Sequence, residues 1–245
     1  MQQVSPSLST SHQLLNRSEI NDWFTRTGRP YVTLSWAQSL DGSLTLKQGQ
    51  SLPISCDESM RMTHQLRSDH DAILVGIGTA LADNPRLTAR IFDDGPSNQP
   101  PSQPRPIVLD SQLRIPTDLR LFTHPKRPII ATTQPDKNNH LAGVNAEIIQ
   151  LPPTTNGQVP LAPLLNRLGQ MGIRSVMVEG GGQVLTSFLN SNDANRAIIT
   201  IAPLFVGGYD AIQPLSLNYE SQLPRLHNMQ TTRCGSDIIV AGDLF

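Results

Sequence analysis

The chain has 245 residues, room for one large α/β domain or two small ones and enough to bury a sizeable core. Its 19 basic and 20 acidic residues nearly cancel, so no basic face argues for a nucleic-acid partner. The longest nearly apolar run, Ala72–Ala82, falls well short of the roughly 20 residues that a membrane-spanning helix needs, so no membrane association is expected.

Residues 1–28 read as a polar N-terminal extension rich in Ser, Gln and Asn, with a short helix at Glu19–Thr25. It lacks the basic start and apolar run of a secretory signal. Residues 29–245 read as one domain. A strand is expected at Tyr31–Gln38, followed by a turn at Asp41-Gly42. Ser55-Cys-Asp-Glu58 has the form of a capping box, with Ser55 as N-cap and Glu58 reaching back. The helix it opens runs to about Ser68, with Met62 and Leu66 on one face. Cys56 and Cys234 form no Cys-x-x-Cys pair, so they are expected as two reduced thiols of a cytoplasmic protein with no bound metal. Ala72–Val75 is a buried strand, and Gly76-Ile-Gly78-Thr79 leads into a short helix. Phe92–Pro106, rich in Pro, Gly, Ser and Gln, reads as an exposed loop. Short strands follow at Ile107–Asp110, Pro128–Thr132 and Glu147–Leu151. Leu161, Leu164, Leu165, Leu168 and Met171 fall at helical spacing. A strand at Ser175–Glu179, a helix at Gly182–Leu189 and strands at Ala197–Ala202 and Ile238–Ala241 complete the pattern. Strands alternating with helices predict an α/β fold, a single doubly wound and mostly parallel sheet with helices on both faces.

Two glycine loops stand where such a sheet binds ligands. Glu179-Gly180-Gly181-Gly182 joins a strand to a helix, where free N–H groups and the helix dipole favour an anion. It is not Gly-x-Gly-x-x-Gly, and no acidic residue ends the next strand, so a Rossmann ribose reader is excluded. Gly76-Ile-Gly78-Thr79 repeats the device, and Thr79 has two readings, helix cap or phosphate donor. Asp83 follows close behind. Arg67, Arg86 and Arg90 are placed to converge on a phosphate, although a cation at the end of a helix is favoured for itself. Asp110-Ser111 lies after another strand. His64, on the capped helix, reads either as an acid/base or as a packed histidine. No zinc-deaminase, P-loop or nucleophile-elbow motif is present.

The runs Ala37-Gln38-Ser39-Leu40-Asp41-Gly42, Met62-Thr63-His64-Gln65-Leu66-Arg67-Ser68, Asp71–Asp83 and Glu179–Gly182, in this order, resemble the pyrimidine reductase of riboflavin biosynthesis. The resemblance spans about Arg29 to Leu244. It implies a dihydrofolate-reductase-like fold, NADPH as cofactor, a homodimer, and reduction of the ribosyl group of a ribosylaminopyrimidine 5′-phosphate to a ribityl group. Matched by position, it implies cofactor contacts from Ala37, Thr79, Asp83, Ser111 and the segment Gly181, Gly182, Gln183, Val184, Leu185, Thr186 and Ser187. Substrate contacts are implied from Ser51, Arg67, Leu87, Arg90 and Glu179. Ser35 stands where the bifunctional deaminase/reductases often have Lys, and Pro53 where they often have Trp. Both departures resemble the stand-alone fungal-type reductase, which acts on the 2,5-diamino compound. The substrate stays open between the diamino and the deaminated pyrimidine. Glu179 and Asp41 are the candidate proton donors, with water as the alternative. Competing readings are a reductase of another small heterocycle, such as a pterin, and a nucleotide-binding module without catalysis.

Overall fold

Ala72-Ile-Leu-Val-Gly76 carries no polar side chain, which suits a strand covered on both faces. In the computed structural model, which describes residues 14–90, 100–137, 139–216 and 223–244, this strand lies inside a nine-stranded sheet. In chain order the strands are β1 (Tyr31–Ser39), β2 (Ser43–Thr45), β3 (Ala72–Gly76), β4 (Arg105–Leu109), β5 (Ile129–Thr132), β6 (Glu147–Gln150), β7 (Ser175–Val178), β8 (Arg196–Ala202), β9 (Tyr209–Asp210), β10 (Leu226–Cys234) and β11 (Asp237–Leu244). The helices are α1 (Arg17–Thr27), α2 (Asp57–Asp69), α3 (Ile77–Asp83), α4 (Leu161–Gln170) and α5 (Gly182–Ser191), with a 3-10 turn at Arg120–Thr123. The large sheet runs β10-β11-β8-β1-β7-β3-β4-β5-β6. Every pairing from β8 to β6 is parallel, and β11 and β10 add an antiparallel edge. The mostly parallel sheet with helices on both faces agrees with the expectation.

The strand period of two assigns neighbours in β3 to opposite cores. Leu74 joins Val32, Leu34 and Val178 under Leu164 and Leu168 of α4 and Phe188 of α5. Ile73 and Val75 meet Ala80 of α3 on the other face. There α2 also packs, with Met62 and Leu66 against Met177, Ile198 and Ile239.

Five features differ from the sequence reading. The N-terminal extension is partly built into the domain: Leu14 packs with Met62 and Leu66, and Leu15 and Ile20 pack with Tyr31. Helix α1 is longer than expected because Asn16 caps it, accepting from Ser18 N at 3.0 Å, and Gly28 ends it at φ +67°. The capping box does not form. Asp237 Oδ2 takes the Cys56 amide at 2.9 Å, so Cys56 is the N-cap, with no side-chain capping bond, and α2 starts at Asp57. The expected Phe92–Pro106 loop overlaps β4, which already begins at Arg105 because Arg105 N bonds Asp71 O at 2.8 Å; residues 91–99 lie outside the described residues. Finally, β2 and β9 pair in a small second sheet, and β10 was not anticipated. Strand β10 is an edge with polar residues on both faces, so it has no apolar alternation to read.

Candidate active site

Strands β3 and β7 are parallel neighbours, but the chain leaves them toward opposite faces, into α3 and α5 respectively. Such a switch point opens a crevice beyond the carboxyl ends of the strands. A cleft of about 830 Å³ lies there, lined by both glycine loops, Ala37 at the end of β1, Thr79, Asp83, Ser111 and Glu179. A second cleft of about 430 Å³ adjoins it, sharing Arg67 and Asp83, and adds Arg86, Leu87, Arg90 and Arg120.

Packing requires three of the loop glycines. A Cβ on Gly76 or Gly180 would meet Val184 at 2.7 and 2.5 Å, so the Val184 side chain wedges the two loops in place. A Cβ on Gly182 would meet Asp210 O at 2.7 Å. Gly181 differs: at φ −67° it has ordinary backbone geometry, and its Cβ would find only Thr79 Oγ1, at 3.5 Å. The fold does not require glycine at 181. Gly181 is also the N-cap of the ten-residue helix α5 and makes no side-chain capping bond. Uncapped N–H groups and a backbone open to close approach fit the phosphate of a dinucleotide.

Where the clefts meet, Arg67 and Glu179 form a bidentate ion pair, Nε to Oε1 at 2.7 Å and Nη2 to Oε2 at 2.6 Å. Arg67 Nη1 also donates to Thr88 O at 3.2 Å. Burial works against the Arg67 charge, and the Glu179 carboxylate more than offsets it, holding the guanidinium above its ordinary value. Arg67 is thus a scaffold for Glu179 as well as a wall of the arginine cleft. Arg86, Arg90 and Arg120 have no carboxylate partner within ion-pair distance among the described residues. Burial and then the charges of Arg67, Arg86 and Arg120 lower the pKa of Arg90. A cleft walled by like charges favours an anion.

The family follows from sequence comparison, in which the pattern of the RibD C-terminal domain matches residues 30–240. The chain belongs to the RibD C-terminal domain family. It is 34% identical over 215 residues to the 2,5-diamino-6-ribosylamino-4(3H)-pyrimidinone 5′-phosphate reductase of Archaeoglobus fulgidus, covering 86% of this chain and 97% of that protein. The protein of the same name from Debaryomyces hansenii is 39% identical over 196 residues, covering 74% of this chain and 78% of the relative. The riboflavin biosynthesis reductase Rib7 of Saccharomyces cerevisiae superposes with a TM-score of 0.69 at 31% identity, covering 89% of this chain and 91% of that one. Against the riboflavin biosynthesis protein RibD of Aquifex aeolicus, 32% identical, the match covers 91% of this chain but 61% of the relative.

Within this RibD C-terminal domain, the main cleft gathers Ala37, Ser51, Thr79, Asp83, Ser111, Gly181, Gly182, Gln183, Val184, Ser187 and Glu179, together with Arg67. Leu87 and Arg90 line the arginine cleft, Leu87 at φ +55°. Three expected site residues are placed elsewhere. Leu185 is fully buried in the core under α5. Thr186 turns its hydroxyl inward, donating to Gly182 O at 2.6 Å and accepting from Gln213 N at 2.8 Å. Asp41 is outside the cleft lining: its carboxylate accepts from Ser39 Oγ, Ser43 Oγ, Val206 N and Gly207 N. Those bonds, led by the Ser39 hydroxyl, hold its carboxyl far below the usual range and make it the clasp of the β1–β2 turn. Thr79 is the third residue of α3, with Gly76 at the N-cap, so its capping reading lapses and its hydroxyl faces the cleft.

Several lining residues escaped the sequence reading. Thr45 and Tyr209 reach the cleft through the β2–β9 pair, which the Asp41 clasp and Gly208 N→Ser43 Oγ (3.0 Å) hold shut. Arg114 and Gln158 border it beside Ser111, whose hydroxyl bonds Gln158 at 3.2 Å. Arg120 enters from a 3-10 turn whose first amide is tied to Asn84 Oδ1 at 2.8 Å.

Proposed function

We propose that this chain is an NADPH-dependent reductase that converts the ribosyl group of 2,5-diamino-6-ribosylamino-4(3H)-pyrimidinone 5′-phosphate into a ribityl group, without deaminating the ring. The observation that carries this reading is the pair of adjoining clefts, one built on glycine loops and one on arginines, meeting at the Arg67–Glu179 pair. The relatives that this chain covers almost end to end bear the diamino reductase name, which supports the diamino substrate over the deaminated one.

NADPH, when bound, supplies a hydride. The chain's residues do the rest by alignment and charge. Gly181, Gly182 and Gln183 at the start of α5, with Thr79, receive the cofactor phosphates, and Ala37, Asp83 and Ser111 complete that side. Arg90, assisted by Arg86 and Arg120, holds the substrate phosphate. Glu179, fixed by Arg67, accepts N–H groups of the aminopyrimidine, and Ser51 and Leu87 flank it. The glycosylamine opens to an imine between the exocyclic nitrogen and C1′. With hydride from the cofactor delivered at C1′, the nitrogen would take a proton from water, giving a ribitylamine. A homodimer is the assembly that the family resemblance implies.

The test is NADPH consumption by the purified chain with the diamino and the deaminated ribosylaminopyrimidine phosphates and with an unphosphorylated pterin. Turnover of the diamino compound supports the reading. Turnover of the pterin alone, or NADPH binding with no oxidation by any of the three, overturns it.

A further inference from the structure

His64 is buried in the middle of α2, 3% exposed, and is not among the residues that line either cleft. Both of its ring nitrogens nevertheless lie within hydrogen-bond distance of Arg90. Nδ1 lies 3.2 Å from the backbone N of Arg90, and Nε2 lies 3.3 Å from Arg90 Nη2. Burial, and then the charges of Arg67 and Arg90, push the ring pKa down to about 4, against the opposing pull of Glu179 and of the Thr88 carbonyl. At neutral pH the ring is uncharged and has one lone pair to offer.

Both Arg90 groups are donors, so one lone pair cannot satisfy both. The two are not equal competitors. The backbone amide follows buried Ala89 and has no second acceptor among the described residues, whereas the guanidinium belongs to an exposed residue and has water at hand. The amide therefore takes Nδ1, since an unpaired amide there would cost more than a solvated guanidinium. The proton then resides on Nε2, which cannot accept from Nη2, 3.3 Å away. The guanidinium therefore keeps its Nη2 donor for another acceptor.

We propose that His64 is the positioning residue for Arg90: through Nδ1 it pins the backbone of residue 90 at the wall of the arginine cleft, while its Nε2–H leaves the guanidinium to an anionic group of the substrate. This rests on the reading above in placing the substrate phosphate in that cleft. It assigns to the Met62-Thr-His-Gln-Leu-Arg67 run a second function besides presenting Arg67.

Substitution by Asn and by Gln separates the two ring nitrogens. Asn carries an acceptor near the δ position and keeps the bond to the Arg90 amide, whereas Gln extends past it. His64→Asn should retain a near-native KM for the phosphorylated substrate. His64→Gln and His64→Leu should raise that KM at least about tenfold, with kcat and the NADPH dissociation constant nearly unchanged. With the corresponding riboside, which lacks the phosphate, all three should match the wild type. Titration with ribose 5-phosphate and with ribose, followed by calorimetry, reads the same effect without turnover: Gln and Leu should weaken only the phosphorylated sugar. Thus absence of reductase activity in the wild type would sink the functional reading and leave this test standing. Equal losses with phosphorylated and unphosphorylated ligands, or no rescue by Asn in a variant that melts like the wild type, would overturn the role of His64.

Discussion

Replacing Arg67 by alanine should destabilise the protein by a predictable amount. Two hydrogen bonds to Glu179, at 2.7 and 2.6 Å, and one to Thr88 O, at 3.2 Å, would be lost together. Glu179 would be left in the cleft without a counter-charge, at only 17% side-chain exposure, where Arg67 itself has 13%. Breaking a buried pair by removing one partner costs about 3–5 kcal/mol, and the residual exposure puts this case near the lower end, about 3 kcal/mol. For a chain of this length that corresponds to a fall in Tm of roughly 6–12 °C. Urea unfolding followed by circular dichroism should be run on the wild type, Arg67→Ala, Glu179→Ala and the double variant. The double variant removes both charges, so a coupling of roughly 1–3 kcal/mol is expected across the cycle. A single-variant loss below about 0.5 kcal/mol with no coupling would refute the claim that Arg67 holds Glu179.

Gly181→Ala should fold normally, because its Cβ meets nothing closer than 3.5 Å, while NADPH affinity falls at least about tenfold, or ~1.4 kcal/mol; fluorescence titration of NADPH would show an unchanged affinity if the loop does not face the cofactor. Gly180→Ala should instead lose stability, since its Cβ would approach Val184 at 2.5 Å, and a native melting curve would contradict that packing. Arg90→Ala should cost roughly 1.5–3 kcal/mol in kcat/KM through KM while leaving NADPH binding intact; loss of cofactor with substrate retained would mean that the two clefts have been exchanged. Asp41 has a depressed carboxyl pKa, so its contribution is present above the unfolded carboxylate pKa of about 3.9 and declines as pH falls below it. The urea-midpoint difference between wild type and Asp41→Asn should therefore be constant near neutrality and shrink in acid, and a difference that grows in acid would reverse the assignment.

Much of this architecture is legible in the chain because its central strands are short and apolar and its helices periodic. Ala72–Val75, Leu161–Met171 and Gly182–Leu189 each announce a period or a turn. What was not legible has local physical causes. Strand β10 carries His, Asn, Gln and Thr on an exposed edge, so neither face is marked. The capping box at Ser55 has the right residues, but the helix starts one residue later, with Cys56 as N-cap and its amide taken by Asp237, 181 positions from it. The glycine loops and the arginines are visible as motifs, yet their joint is not: Arg67 and Glu179 are 112 residues apart, and only the β3–β7 pairing brings them together. Sequence separation also hides Arg120, which reaches the cleft through a turn tied to Asn84, 36 residues earlier. A carboxylate beside a glycine turn, as at Asp41, reads equally as a reactant and as a clasp.

The most direct test of the central claim follows a label through the reaction. The purified chain should be incubated with the diamino ribosylaminopyrimidine phosphate and NADPH deuterated at the transferring position of nicotinamide C4, and the product examined by mass spectrometry. The reading predicts one deuterium on the former C1′, a ribityl chain, both amino groups retained and no ammonia released. A product without deuterium in the carbohydrate, or one that has exchanged an amino group for a carbonyl, would contradict it.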